Sequence, residues 1–408
     1  MPDIHTRFID EAHGLLPMAV ALRRRIHAHP ELGNDLPVTR AAALEAIADL
    51  DLEVRLSNRT SGIVADLRGA QPGPTILLRA DMDALPMPEH TGLEFASTVD
   101  GRMHACGHDA HTAMLTAAAR LLACHRNELA GTVRFMFQPG EESPGGAGPM
   151  IEEGLLDRDG APDAAFAIHI EPNLKSGDIA CRSGALLAGV EEATVKIIGR
   201  GGHGAIPYVA NDPIPVLCEL VQAIQTFVTR RARTFDPVVI TVGRIAAGTA
   251  SNVIPNDGEL LATVRSFSSE AAELACSGIR RLAEGIAAAH EMRAEIDFRT
   301  GYPATYNEAG FVDLLRAVCG GLFGDGAYHE MPEPSMGSED FSLVLQRSPG
   351  AMAFLGVAPP GVDPAEAAPY HSSRLALDED AMARGIALHA AVAYAFLGRQ
   401  AGATTRRR

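Results

Sequence analysis

Four short, unbroken apolar runs constrain this chain most. Residues 75–78 lead into Arg79-Ala80-Asp81-Met82-Asp83, and residues 132–137 into Gln138-Pro139-Gly140-Glu141-Glu142. Residues 164–168 lead into His169, and residues 351–357 form the fourth run. Continuous rather than alternating apolar residues are what strands need when both faces of a sheet are covered, as in a parallel sheet between helices. Helical patterns fall between several of the runs, so the predicted class is α/β. In open α/β sheets, sites form beyond the carboxyl ends of the strands. The first three runs therefore place Asp81, Glu141, Glu142 and His169 where a site belongs.

A fifth stretch points to the same chemistry. Residues 103–114 read M-H-A-C-G-H-D-A-H-T-A-M, with one thiol, three imidazoles and a carboxylate. Cys106 and His108 are two apart, so in an extended segment both side chains leave the backbone on one side. A thiolate and an imidazole together suit a borderline ion such as zinc or manganese. Gly107 between them relaxes the backbone where chain and ion come close. Asp109 is expected as a helix N-cap, because Ala110, Ala113, Met114, Ala117, Ala118, Leu121 and Leu122 then follow helical spacing. Glu141 and Glu142 are adjacent, and in an extended segment they point to opposite sides. One can then hold an ion that acidifies water, while the other takes the proton.

The 408 residues suffice for two or more domains. The net charge of −16 argues against nucleic acid and anionic membrane surfaces as partners, and it requires a locally positive pocket for any anionic substrate. The six cysteines are scattered with no C-x-x-C pair, which fits reduced thiols in a cytoplasmic protein. No apolar run of ~18 residues stands out, so no membrane span is expected. The opening M-P-D-I-H has no charged segment followed by an apolar one, so no signal peptide is expected. A helix is predicted over 4–29, broken or restarted at Pro17. His27 and His29 do not share a helical face and read as packing or surface groups. Residues 401–408 read as a frayed tail.

Residues 186–298 have a different pattern. Residues 194–198 alternate polar and apolar, as a strand with one wet face does. Asp212-Pro213 reads as an N-cap with proline at the first helical position, followed by an amphipathic helix through Val228. Strands are predicted over 238–242, 259–267 and 293–298, and a helix over 269–289 capped by Ser268 or Ser269. The order β-α-β-β-α-β is the ferredoxin-like unit. The predicted division is thus a catalytic domain over 1–185 and 299–408, interrupted by an inserted domain over 186–298. Gly145-Gly146-Ala147-Gly148 lacks the Gly-Lys-Ser/Thr ending of a phosphate loop.

Taken jointly, R-A-D-M-D-A-L-P, M-H-A-C-G-H-D-A-H, F-Q-P-G-E-E, the His169 strand end, G-G-H-G-A-I-P and Y-H-S span nearly the whole chain. This set resembles the amidohydrolase branch of the aminoacylase/carboxypeptidase metallohydrolases, which includes hippurate hydrolases and auxin-conjugate amidohydrolases. The resemblance implies a zinc-peptidase-like catalytic domain with a mainly parallel sheet between helices, and an α+β dimerisation or lid insert. It implies two divalent metal ions per subunit, Mn2+ or Zn2+, held by Cys106, His108, Glu142, His169 and His371, with Glu141 as general base. His203 would reach a neighbouring active site in a homodimer and stabilise the oxyanion, and Asn252 and Arg265 would help bind a substrate carboxylate. The implied reaction is hydrolysis of the amide bond of N-acyl amino acids, N-acetyl or N-benzoyl, with a dipeptidase or carboxypeptidase of the same fold as the alternative. The peptidase branches begin the site with H-x-D, whereas the first position here is Arg79. Asp81 then has no histidine ligand to orient and is expected behind the ligands, with the Cys106 thiolate replacing the missing one.

Overall fold

In the computed structural model, which describes residues 4–405, the four apolar runs become the strands Gln71–Asp81, Ala130–Gln138, Ala164–Glu171 and Gly350–Gly356. They lie side by side at the centre of an eight-stranded sheet and pair in parallel. Their unbroken apolar character has the expected cause: consecutive residues on both faces are buried. Glu53–Leu56 and Ile63–Arg68 extend one side as an antiparallel pair. Ile179–Cys181 and Tyr328–Glu330 complete the other side. Helices Ile4–His27, His108–Cys124, Ala309–Phe323 and Met382–Thr405 bury their apolar stripes in the same core, around Phe135, Phe137 and Phe166.

Three expectations fail here. The first helix runs from Ile4 to His27 straight through Pro17. Proline removes one backbone hydrogen bond, but Phe8, Ala12, Ala19, Leu22 and Ile26 bury a continuous stripe on either side of it, and such packing is the main source of helix stability in a protein. At the other end, Met382–Thr405 is one helix that runs into the predicted tail, while Arg406–Arg408 lie outside the described residues. The stretch Glu379–Arg399 is long and apolar enough to cross a membrane by length and composition, contrary to the sequence expectation. It is mostly buried and supplies Ile386, Leu388, Val392 and Leu397 to the core, as the central helix of a globular unit does.

By the density of internal contacts the chain divides into two units. Residues 4–186, 306–333 and 343–405 form the unit just described, and residues 187–305 and 334–342 form the second. The second unit is built on an antiparallel sheet in the order Val238–Ala247, Asp257–Ser266, Gly189–Ile198, Arg293–Thr300. Helices Pro213–Arg231 and Ser269–Ala289 bury Leu217, Leu220, Ile224, Ala275, Ile279 and Ala283 against it. The Asp212 carboxylate accepts the Ile214 N–H and the Ser268 hydroxyl oxygen the Ala271 N–H, satisfying amides left open at the helix starts. Along Asp257–Ser266, buried and half-buried residues alternate, as a strand with one covered face requires.

Candidate metal centre

The thiol and the imidazole of Cys106 and His108 are brought together by a turn rather than by an extended strand. Gly107 has φ +83°, in the left-handed region, and the helix begins at His108 directly after it. A Cβ on Gly107 would lie 2.3 Å from Ile170 Cδ1, so both the dihedral and the space demand glycine. Asp109 is therefore inside the helix and is not its cap. Its side chain turns away instead and accepts from Arg23 Nε at 3.0 Å and His27 Nδ1 at 2.8 Å. Burial opposes the charge on Asp109, but the Arg23 and His27 cations hold its carboxyl far below the ordinary range. His27 is fully buried, not a surface group. Burial works against its proton too, yet Asp109 and a hydrogen bond to Glu89 push its pKa up to about 9.

His169 lies on the strand next to this turn. Cys106 Sγ is 3.5 Å from His169 Nε2. His169 Nδ1 donates to Ile170 O at 2.7 Å, which leaves Nε2 with its lone pair toward the sulfur. The donor atoms of Cys106, His108 and His169 all lie within 4.8 Å of one another, and so do those of Cys106, Glu142 and His371. Cys106 is common to both sets. Glu142 Oε1 is 3.1 Å from His371 Nε2. His108, Glu141 and Glu142 make a third such group. The fold thus gathers Cys106, His108, Glu141, Glu142, His169 and His371 at one place in the first unit.

The two glutamates do not point to opposite sides. Gly140, at φ +69°, turns the chain directly after the strand, and residues 141–144 form a turn, so both carboxylates stay near His108.

These residues fit a divalent cation. His108 is fully buried, and neither ring nitrogen makes a hydrogen bond. Its nearest acceptors are Asp83 Oδ1 at 3.4 Å and Asp81 Oδ2 at 3.6 Å. A buried imidazole without a partner is costly, and it sits among a thiol, two further imidazoles and carboxylates, the donor set of a borderline ion. Burial pushes the Cys106 thiol up and the His169 imidazole well down. A neutral imidazole is the form that ligates, and a bound cation reverses the shift at sulfur.

Behind the donors is a layer that the sequence reading only partly anticipated. Asp81 accepts from Arg79 Nη1 and from His111 Nδ1, both at 2.6 Å. Burial disfavours the Asp81 charge, but Arg79, His108 and His111 keep its carboxyl well below the usual range. His111 Nε2 accepts the Ile170 N–H at 2.9 Å. With both ring nitrogens engaged, His111 braces the His169 strand and is not a ligand. Its position three residues after His108 on a helix, hence on the same face, is the signal that could have marked it. Arg79, 1% exposed, links Gln138 Oε1 and Asp81 across two strands. Asp83 accepts the backbone amides of Glu141 and Glu142.

His203, Asn252 and Arg265 lie in the second unit. His203 is exposed on the short strand Gly202–His203, which pairs with Val253–Ile254. Its Nδ1 accepts the Ala205 N–H at 3.1 Å, which puts the ring proton of the neutral form on Nε2. The backbone carbonyl of the exposed Asn252 accepts the N–H of Gly204, the residue after His203. Arg265, on Asp257–Ser266, donates to Met336 O at 2.7 Å.

The chain is similar to known proteins over most of its length. Residues 77–395 match the family described as peptidase family M20/M25/M40. The chain is 36% identical over 379 residues to N-acetylcysteine deacetylase of Bacillus subtilis, covering 93% of each. It is 36% identical over 381 residues to thermostable carboxypeptidase 1 of Saccharolobus solfataricus, covering 92% of this chain and 95% of that one. Among solved structures it is similar to a dinuclear metal binding peptidase of the M20 family from Bacillus subtilis, with a TM-score of 0.81, 33% identity, and coverage of 94% and 99% of the two chains.

Proposed function

Because the chain belongs to peptidase family M20/M25/M40 and is a metal-dependent amidohydrolase, we propose that it hydrolyses the amide bond of N-acyl amino acids of the N-acetyl or N-benzoyl type. The convergence of Cys106, His108, Glu141, Glu142, His169 and His371 at one place carries this reading. Cys106, His108, Glu142, His169 and His371 would hold two divalent ions, Mn2+ or Zn2+. Such ions supply Lewis acidity, which polarises the scissile carbonyl and acidifies water. Glu141 belongs to the group with His108 and Glu142 but to neither set that contains the thiol. In this reading Glu141 would take the proton of the attacking water and return it to the leaving amine. Asp81, His111 and Arg79 fix the bed on which His108 and His169 rest.

The second unit would serve as a dimerisation and lid domain. Its outer strand Val238–Ala247 exposes Val239 and Ile245, and an apolar edge of this kind is commonly covered by a second copy. His203 would donate a hydrogen bond to the developing oxyanion, and Asn252 and Arg265 would receive the substrate carboxylate. All six cysteines are free thiols, which suits a cytoplasmic enzyme.

A carboxypeptidase or dipeptidase is the second reading, supported by the archaeal carboxypeptidase relative. The deciding experiment strips the protein of metal, reloads it with one ion at a time, and compares N-acetyl and N-benzoyl amino acids with free dipeptides. Preferred cleavage of the N-acyl substrates is expected. Preferred cleavage of dipeptides would establish the second reading instead.

A further inference from the structure

Asp83 is buried, and its carboxylate engages two successive amides of one turn. Oδ1 accepts the Glu141 N–H at 2.9 Å, and Oδ2 accepts the Glu142 N–H at 3.0 Å. Oδ1 also lies 3.4 Å from His108 Nδ1. The sheet makes this reach possible. Gln71–Asp81 and Ala130–Gln138 pair in parallel, and their last partners are Asp81 and Gln138. The two chains therefore leave the sheet side by side, and Asp83, two residues beyond one strand, meets Glu141, three beyond the other.

The turn it meets is tied at its ends by other groups. Residues 141–144 lie in no strand or helix. The turn closes on itself through the Gly145 N–H to Gly140 O at 2.8 Å, and Asn34 Nδ2 donates to Gly145 O at 3.2 Å. Those contacts tie the ends of the loop. At its tip, Asp83 is the acceptor for both amides.

Adjacent residues with different tasks create a geometric problem. A rotation of the peptide between Glu141 and Glu142 swings both carboxylates and can exchange their places. A single carboxylate that takes both amides suppresses that rotation, because one oxygen is assigned to each N–H and the pair is charge-assisted. Its Oδ1 also lies beside the His108 ring, 3.4 Å from Nδ1, so the turn and the imidazole share one neighbour. We infer that Asp83 is a positioning residue: it fixes the Glu141–Glu142 turn against His108, so that Glu142 faces the donor set and Glu141 the attacking water. This inference rests on the roles proposed for Glu141 and Glu142.

The test is D83N, which keeps the side chain's shape but replaces one acceptor oxygen with an NH2 group. In metal-free protein, hydrogen exchange at the amides of Glu141 and Glu142 should become about 10–100-fold faster, the loss of one hydrogen bond to a charged group. Helix His108–Cys124 and the central strands should keep their protection. In metal-loaded protein, kcat should fall ~10–100-fold with KM little changed, and metal affinity should drop by a similar factor. Unchanged exchange at the two amides would overturn the inference. So would faster exchange across the whole unit, which marks a general structural role, and so would local loosening with wild-type kcat. The exchange readout needs no substrate, so it stands apart from the substrate screen if that screen fails. If D83N does not fold, D83E keeps the charge, displaces both oxygens by a methylene, and is judged by the same outcomes.

Discussion

Cys106 Sγ lies 3.5 Å from His169 Nε2, although the two residues are 63 positions apart. One sits on a left-handed turn and the other on a central strand, and Ile170, the residue after His169, fills the space that a side chain on Gly107 would need. The thiol is also the donor shared by the set with His108 and the set with Glu142 and His371. A group shared by two sets should matter to both ions, whereas His371 belongs to only one of them.

Cys106→Ala is therefore expected to lose more bound metal than His371→Ala. The measurement is metal stoichiometry after dialysis against a weak chelator. Full metal content in Cys106→Ala would remove the thiol from the ligand set.

Gly107→Ala should destabilise the first unit by about 1–3 kcal/mol, the range for a side chain forced into the left-handed region, plus the clash with Ile170. Chemical denaturation measures the loss. Trimming Ile170 to Ala in the same background should relieve the clash but not the dihedral strain, so recovery should be partial. Wild-type stability and metal content in Gly107→Ala would show that the turn tolerates a side chain.

The sheet centre was legible because each of its four strands is buried on both faces and so carries an unbroken apolar run. The outer strands Glu53–Leu56, Ile179–Cys181 and Tyr328–Glu330 were not, since strands of three or four residues show no period. The donors were legible from their chemistry: a thiol, imidazoles and carboxylates at strand ends stand out. How they converge was not. Cys106 and His108, like Glu141 and Glu142, looked extended, but Gly107 and Gly140 take positive φ, and residue spacing alone does not distinguish a turn from a strand. Asp109 looked like a cap because an acid before an apolar helix usually is one. Its partners Arg23 and His27 come from a helix more than eighty residues earlier. Pro17 looked like a break because the tertiary packing that overrides it is invisible locally.

Glu141→Gln should retain metal and lose at least ~10²-fold in turnover, the lower range for a general base. Glu142→Gln should instead lose metal, because only Glu142 joins the set with Cys106 and His371. Metal analysis and single-turnover kinetics on both variants decide the matter. The opposite pattern would exchange the two roles.

His27 makes stability depend on pH. Its pKa is pushed from an ordinary 6.5 up to about 9 in the folded chain, chiefly by Asp109 acting against burial. Its contribution is fully present below pH ~6.5, where the unfolded chain is also protonated, and is lost as pH rises through about 9. The full shift corresponds to a loss on the order of 3 kcal/mol. Urea midpoints of the wild type and His27→Gln, followed from pH 6 to 10, isolate this residue. The wild type should lose stability more steeply than the variant across that window. Parallel pH curves would show that His27 is not a proton-linked contributor.

The last prediction concerns His203, exposed on a short strand of the second unit with its ring proton on Nε2. Under the proposed function it donates to the oxyanion in the site of a partner subunit, and removing one such donor should cost ~10²–10³ in turnover. His203→Ala and Glu141→Gln should then each be nearly inactive alone. Mixed under conditions that allow subunit exchange, they form dimers in which one site lacks both groups and the other has both. Activity should reappear toward half that of the wild type within the mixed dimers, since one intact site per dimer is restored. Complementation needs the imidazole to act across subunits, because an imidazole serving its own chain would leave both sites of the mixed dimer defective. An absence of recovery, with exchange confirmed by mass spectrometry of tagged subunits, would place His203 in its own chain's site or outside the reaction.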